Sequence, residues 1–170
     1  AHLPDRRRIS QLHWGGGTPT YLNPDDIRRL MAMMRQYFTV APDAEISCEA
    51  DPRELTREHL LALRESGFNR ISFGVQDMDP AVQQAVNRVQ SVPQTLDVIE
   101  ACRAAGLRSV NVDLIYGLPK QSCAGFARTL QTVIEARPDR IAVYGYAHMP
   151  LLFKPQRQLI EADLPDPETR

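Results

Sequence analysis

Four groups in this 170-residue chain carry polar or backbone chemistry at regular intervals: the triplet Gly15-Gly16-Gly17 with Thr18, the carboxylate Glu49, the amide Gln76 and the carboxylate Asp113. The intervals Gly16–Glu49, Glu49–Gln76 and Gln76–Asp113 are 33, 27 and 37 residues, each the length of a strand plus a helix. A glycine triplet lets backbone N–H groups approach a ligand because no side chain stands in the way. Taken alone it suits a tight strand exit equally well. Glu49 could meet a cationic group, or serve as an acid ahead of a helix near Asp51-Pro52. Gln76 and Asp113 follow apolar runs, where an unpaired amide or carboxylate costs several kcal/mol, so each needs an internal partner or a ligand. Arg88 reads first as a surface charge, and His148 as a loop histidine. Together the set describes a polar small-molecule site, without naming a reaction.

The elements that must position these groups alternate between two periods. Apolar strand patterns cover residues 9–14, 44–50, 71–75, 109–116 and 141–144. Between them lie helical patterns. Asn23 caps the first, with Pro24 in its first turn, Asp25 and Asp26 beside it, and an apolar stripe of Ile27, Leu30, Met31, Met34 and Phe38. Thr56 caps a second helix that runs through Ser66 to Gly67. Asp79-Pro80 opens a short third helix, and Pro93 begins a fourth that stops at Gly106. Ser122 caps a fifth, which carries Phe126, Leu130, Val133 and Ile134 and ends at Pro138. Strands separated by helices pair in parallel, and parallel α/β folds bind ligands at the carboxyl ends of their strands. Neither G-x-G-x-x-G nor G-x-x-x-x-G-K-[ST] occurs, so the expectation is a partial parallel (β/α) barrel with its polar groups on one rim. The tail after about Pro155 reads as loosely tied.

Composition narrows the partners. The chain has 43% hydrophobic and 24% charged residues and a net charge of −1, which leaves no basic surplus for nucleic acid or an anionic membrane. No apolar run approaches the roughly 18 residues of a membrane span, and the opening Ala1-His2-Leu3-Pro4-Asp5 has no signal-peptide pattern, so the expected location is cytoplasmic. Arg6-Arg7-Arg8 reads as a solvated flank. Cys48, Cys102 and Cys123 are too far apart for a disulfide framework or a zinc knuckle, and they read as buried, inert thiols.

His13-Trp14-Gly15-Gly16-Gly17-Thr18-Pro19-Thr20 resembles the glycine-rich motif of radical S-adenosylmethionine enzymes. Glu49-Ala50-Asp51-Pro52-Arg53, the run from Gly67 to Asp77, Val86-Asn87-Arg88, Asp113-Leu114-Ile115-Tyr116-Gly117-Leu118-Pro119 and Tyr146-Ala147-His148-Met149-Pro150 resemble successive motifs of its coproporphyrinogen oxidase branch. The resemblance runs from about Gln11 to Pro165. It implies that Gly16 and Glu49 contact the S-adenosylmethionine attached to a four-iron four-sulfur cluster. It further implies that Gly17, Thr18, Gln76, Arg88, Asp113 and Ala147 contact a second S-adenosylmethionine. The activity implied for a full-length enzyme is radical oxidative decarboxylation. A deoxyadenosyl radical takes hydrogen from two propionates of coproporphyrinogen III, and loss of carbon dioxide and one electron leaves the vinyl groups of protoporphyrinogen IX, for heme. An electron donor to the cluster is a further implied partner, and the full-length protein is expected to be monomeric.

One departure bears on activity. The family's cluster needs a C-x-x-x-C-x-x-C run on the loop after the first barrel strand, ahead of Gln11, and the ten residues there hold no cysteine. The expectation is therefore about five strand–helix units with the first unit missing. Residues 1–10 would be a flank, 11–155 a partial barrel, and 156–170 the start of a truncated C-terminal region. Such a piece would hold no cluster, would be inactive alone, and would be prone to associate through an exposed sheet edge. The alternatives are a heme-chaperone-like relative in the same superfamily, a non-radical barrel lyase, and a cluster-free remnant with no activity.

Overall fold

The computed structural model describes residues 7–166, so most of the flank (residues 1–6, Arg6 among them) and residues 167–170 lie outside it. Its frame is one five-stranded parallel sheet in the order β1-β2-β3-β4-β5, curled into a half-barrel. The strands are β1 (Arg8–Trp14), β2 (Thr39–Ala50), β3 (Arg70–Gln76), β4 (Ser109–Tyr116) and β5 (Arg140–Gly145). The connecting helices are α1 (Pro24–Tyr37), α2 (Arg57–Glu65), α3 (Pro80–Ala85), α4 (Val92–Ala104) and α5 (Cys123–Glu135). Four of the five helices start at the cap residue named from the sequence; α4 starts at Val92, one residue before the expected Pro93, with Ser91 as its cap. The Asn23 side chain accepts from the Asp26 N–H at 2.9 Å, and the Asp79 side chain accepts from the Ala81 N–H at 2.9 Å. At α2, the Thr56 hydroxyl accepts from the His59 N–H while the Thr56 N–H donates back to the His59 ring, a reciprocal cap with histidine in the usual Glu position.

Alternation within the strands decides the layers. Ile46, Cys48 and Ala50 of β2, Ile71, Phe73 and Val75 of β3, and Val110, Val112 and Leu114 of β4 are all buried, and they form one core with Ile27, Met31, Leu60, Leu63, Phe68, Ile99 and Val133 from the helical side. Parallel strands covered on both faces read as continuous apolar runs. Here every second position is polar instead: Glu45, Ser47, Glu49; Arg70, Ser72, Gln76; Ser109, Asn111, Asp113. The helices cover the convex face, and the concave face is a polar surface. At its lower end Glu45 bridges Arg70 and Arg140, at 2.8 and 3.4 Å.

The structure departs from the sequence expectations in several places. β2 starts five residues earlier than the predicted position 44, because its first part pairs with β1 (Arg8 with Thr39, Ile9 with Val40) before a register shift. Pro42, which donates no ladder hydrogen bond, falls in that irregularity. Leu30 and Ile134, expected on buried stripes, are 39% and 56% exposed, since each sits one position round from the face that meets the sheet. As far as Asp166 the tail is pinned rather than loose: the Gln156 side chain bonds the Met149 N–H and the Ala147 carbonyl, and the Lys120 N–H donates to the Asp163 carbonyl at 2.7 Å.

Cys48 and Cys102 are buried as expected, and burial pushes each thiol up to about 12. Cys123, also expected to be buried, is exposed at the first turn of α5. A thiol reagent should therefore modify Cys123 rapidly and the other two only on unfolding, as mass spectrometry of the labelled chain would show. The two buried thiols also set a pH dependence. Their folded pKa lies above the ordinary 9.0, so the stability they contribute is present below about pH 9 and is lost as pH rises toward 12. Urea midpoints should fall across that window, and less steeply in Cys102→Ala. Among the described residues, no helix is long and apolar enough to cross a membrane.

Candidate functional site

At the carboxyl ends of the strands a cavity of about 370 Å³ opens on the concave face. It is lined by six of the eight residues named from the sequence (Gly17, Thr18, Glu49, Gln76, Arg88 and Asp113), together with Ala50, Asp51, Ser72, Gly74, Ile115 and Tyr144. Gly16 joins this rim through its backbone, whose N–H donates to Glu49 Oε2 at 3.2 Å. Ala147 is not among the lining residues; it stands on the exposed segment after β5, with its carbonyl engaged by Gln156.

The glycine turn is shaped around Glu49. Gly16 and Gly17 have φ of +80° and +65°, a region in which a side chain is strained. Gly15 is constrained by space instead: a Cβ there would stand 2.7 Å from His13 Nε2 and 3.0 Å from Glu49 Oε1. His13 Nε2 lies 3.4 Å from Glu49 Oε1, and its Nδ1 lies 2.8 Å from Ser47 Oγ. Glu49 Oε2 thus accepts the Gly16 N–H, Oε1 lies beside the His13 ring, and both oxygens keep lone pairs for a ligand.

Asp113 finds internal partners. The Ser72 hydroxyl donates to Oδ2 at 2.8 Å, and Asn111 Nδ2 donates to Oδ1 at 2.7 Å and to Ser72 Oγ at 2.7 Å. Register makes this possible: Ser72 pairs with Asn111 and Gly74 with Asp113 across β3 and β4. Gln76 remains unsatisfied. A register shift between Gly74 and Gln76 places it at φ +68°, and its buried Oε1 has no hydrogen-bond partner. Such an acceptor calls for a donor from outside the chain.

Arg88, read first as a surface charge, turns inward. Its Nε donates to the Gly74 carbonyl at 2.8 Å, and burial pulls its guanidinium below the usual range. Asp51 lies beside it, between Arg88 and Arg53. Burial would raise the Asp51 carboxyl, but the Arg53 hydrogen bonds and the Arg88 charge outweigh it and hold the group below the usual carboxylate range. Beneath the rim, buried Asp77 accepts from Thr129 Oγ1 at 2.7 Å, from the Asp79 N–H at 2.8 Å and from the Gln121 amide. Gln121 in turn bonds the Gly117 N–H and the Ile115 carbonyl, so one side chain braces the exits of β3 and β4 together. The sequence signal for His13, Ser47, Ser72 and Asn111 was their alternate position in the strands; for Asp77 and Gln121 no motif chemistry pointed to this bracing.

A five-stranded parallel half-barrel with carboxylates, a cation and an orphan amide oxygen on its carboxyl rim has the architecture of the edge at which α/β barrel enzymes bind their ligands. The model of the Radical SAM superfamily matches residues 2–133, and the chain belongs to that superfamily. It is 51% identical over 164 residues to the oxygen-independent coproporphyrinogen III oxidase of Escherichia coli (strain K12), covering 96% of this chain and 36% of that protein. It is 48% identical over 168 residues to the protein of the same name from Pseudomonas aeruginosa, of which it also spans 36%. The solved structure of the E. coli coproporphyrinogen III oxidase, described as a radical SAM enzyme, superposes with a TM-score of 0.92 over 95% of this chain and 37% of that one. Elp3 of Methanocaldococcus infernus, 18% identical with a TM-score of 0.70, shares the fold. The chain thus spans little more than a third of the oxidases it matches.

S-adenosylmethionine fits the rim. It offers an ammonium for the carboxylates, a carboxylate for Arg88 and an amine donor for the orphan Gln76 oxygen. A four-iron cluster finds no such fit among the described residues, where no three of His, Cys, Asp and Glu form a group able to hold a metal ion. Cys48 and Cys102 lie in the core and Cys123 lies on the outer helix layer.

Proposed function

We propose that this chain supplies the S-adenosylmethionine-binding rim of an oxygen-independent coproporphyrinogen III oxidase that acts on coproporphyrinogen III in heme formation. The observation that carries the reading is the mixed-charge cavity in which Glu49, Asp113, Arg88 and the orphan Gln76 oxygen converge. The 51% identity with the E. coli oxidase supports the choice of substrate. On this reading Gly16 and Glu49 hold one S-adenosylmethionine by its ammonium end, and Gly17, Thr18, Gln76, Arg88, Asp113 and Ala147 hold a second. Bound S-adenosylmethionine supplies the radical that starts the decarboxylation. The residues of this chain bind and orient it: Asp113 arrives with its donors already placed, so little reorganisation is needed when a ligand hydroxyl or ammonium meets it. A monomeric, cytoplasmic protein served by an electron donor belongs to the same reading.

We assign no cluster ligand to these residues. Anaerobic reconstitution of the chain with iron and sulfide should therefore yield no four-iron absorption band, no electron paramagnetic signal on reduction, and no oxidase activity. The functional test is a graft. Residues 11–165 replace the matching segment of the E. coli oxidase, and decarboxylation of coproporphyrinogen III is followed anaerobically. Vinyl product is expected. A graft that assembles its cluster but binds no S-adenosylmethionine would overturn the reading.

A further inference from the structure

Asp51 and Arg53 belong to the run after Glu49, yet neither has a part in the ligand contacts proposed above. The Asp51 side chain is 9% exposed and borders the cavity. Arg53 grips it from outside. Its Nε donates to Oδ1 at 2.9 Å and to Oδ2 at 3.1 Å, its Nη2 donates to Oδ2 at 2.6 Å, and its backbone N–H donates to Oδ1 at 3.0 Å. Arg88 Nη2 stands 3.6 Å from the same Oδ2, close enough for attraction and too far for a hydrogen bond. The Gly74 carbonyl holds Arg88 by its Nε, Arg88 lines the cavity, and its two Nη atoms make no hydrogen bond among the described residues. Two guanidinium groups thus share one carboxylate, and the outer one takes nearly all of it.

We infer that Arg53 is a positioning residue that sets specificity: by saturating Asp51 it keeps Arg88 from closing onto that carboxylate, and so keeps a cation available for a ligand carboxylate. This rests on the reading that the rim takes S-adenosylmethionine, and it says how the rim selects the amino-acid end of that molecule. Without Arg53, Asp51 is a desolvated carboxylate with one cation in reach, and Arg88 moves the few tenths of an ångström needed to hydrogen-bond it. The ligand carboxylate then meets a neutralised pair. If the Asp51 charge is removed as well, Arg88 has no carboxylate to close onto and its donors stay available to the ligand.

The test compares affinities for S-adenosylmethionine and for decarboxylated S-adenosylmethionine, which lacks only the carboxylate, by calorimetry on the chain. The wild type should prefer the carboxylate-bearing ligand by roughly tenfold or more, the scale of one charge-assisted hydrogen-bonded pair. Arg53→Ala should lose most of that preference with affinity for the decarboxylated ligand little changed, and Asp51→Asn/Arg53→Ala should regain it. Should Arg53→Ala fail to fold, Arg53→Lys takes its place; it keeps the charge, gives up the fork, and should show an intermediate preference. A preference unchanged in the Arg53 variants, or a double variant no better than the single, overturns the inference and leaves the rim assignment standing. A wild type that binds neither ligand removes the rim assignment itself.

Discussion

Asp77→Ala is expected to destabilise the chain by roughly 3–5 kcal/mol, the largest effect of any single polar substitution here. The residue is 1% exposed, and it receives hydrogen bonds from the Thr129 hydroxyl, the Asp79 N–H and the Gln121 amide. Truncation leaves these donors without their acceptor, the Thr129 hydroxyl buried and the other two partly buried, at about 1–3 kcal/mol each before relaxation. Asp77→Asn keeps the shape and one acceptor oxygen and should cost less. The loss should also reach the rim, because Gln121 ties the Ile115 carbonyl and the Gly117 N–H to Asp77, one residue from Gln76. Urea unfolding of the two variants measures the effect. A loss under about 1 kcal/mol for Asp77→Ala would mean that the network is dispensable.

Asp113→Asn carries the largest expected effect on binding. The carboxylate accepts one hydrogen bond per oxygen, from Ser72 and from Asn111, and faces the cavity with its charge otherwise unmatched by any ion pair among the described residues. The amide replaces one acceptor with a donor, so it confronts either the Ser72 hydroxyl or the Asn111 amide with a second donor, and it removes the charge that a ligand hydroxyl or ammonium would meet. Affinity for S-adenosylmethionine should fall about 10- to 100-fold, equivalent to about 1.4–2.8 kcal/mol. Stability should change by no more than about 2 kcal/mol. An equal loss in Ser72→Ala would shift the emphasis from the charge to its orientation.

Much of this architecture was legible because helix caps and strand periods act locally. Asn23, Thr56, Asp79 and Ser122 each mark a helix start that needs no tertiary information. The rim followed from the spacing of Gly16, Glu49, Gln76 and Asp113, since parallel pairing brings the strand exits to one end. What stayed hidden depends on register and on packing across the sheet. The β2 extension exists because β1 supplies partners for Thr39 and Val40. Ser72 and Asn111 became site residues only once β3 and β4 were aligned. Arg88 turns inward because the Gly74 carbonyl is left open to it beside a register shift. Leu30 and Ile134 fit an apolar stripe in sequence, yet the curled sheet meets a narrower face than the stripe suggests.

The proposal that the chain binds S-adenosylmethionine through its concave rim is tested most directly by an amide NMR titration of the isotopically labelled chain with S-adenosylmethionine. The expected shifts are concentrated at Gly16, Gly17, Gly74, Gln76 and Ile115, with Leu61 and Val98, which line the apolar groove between α2 and α4, left unmoved. No shifts at millimolar ligand, or shifts centred on that groove instead, would contradict it.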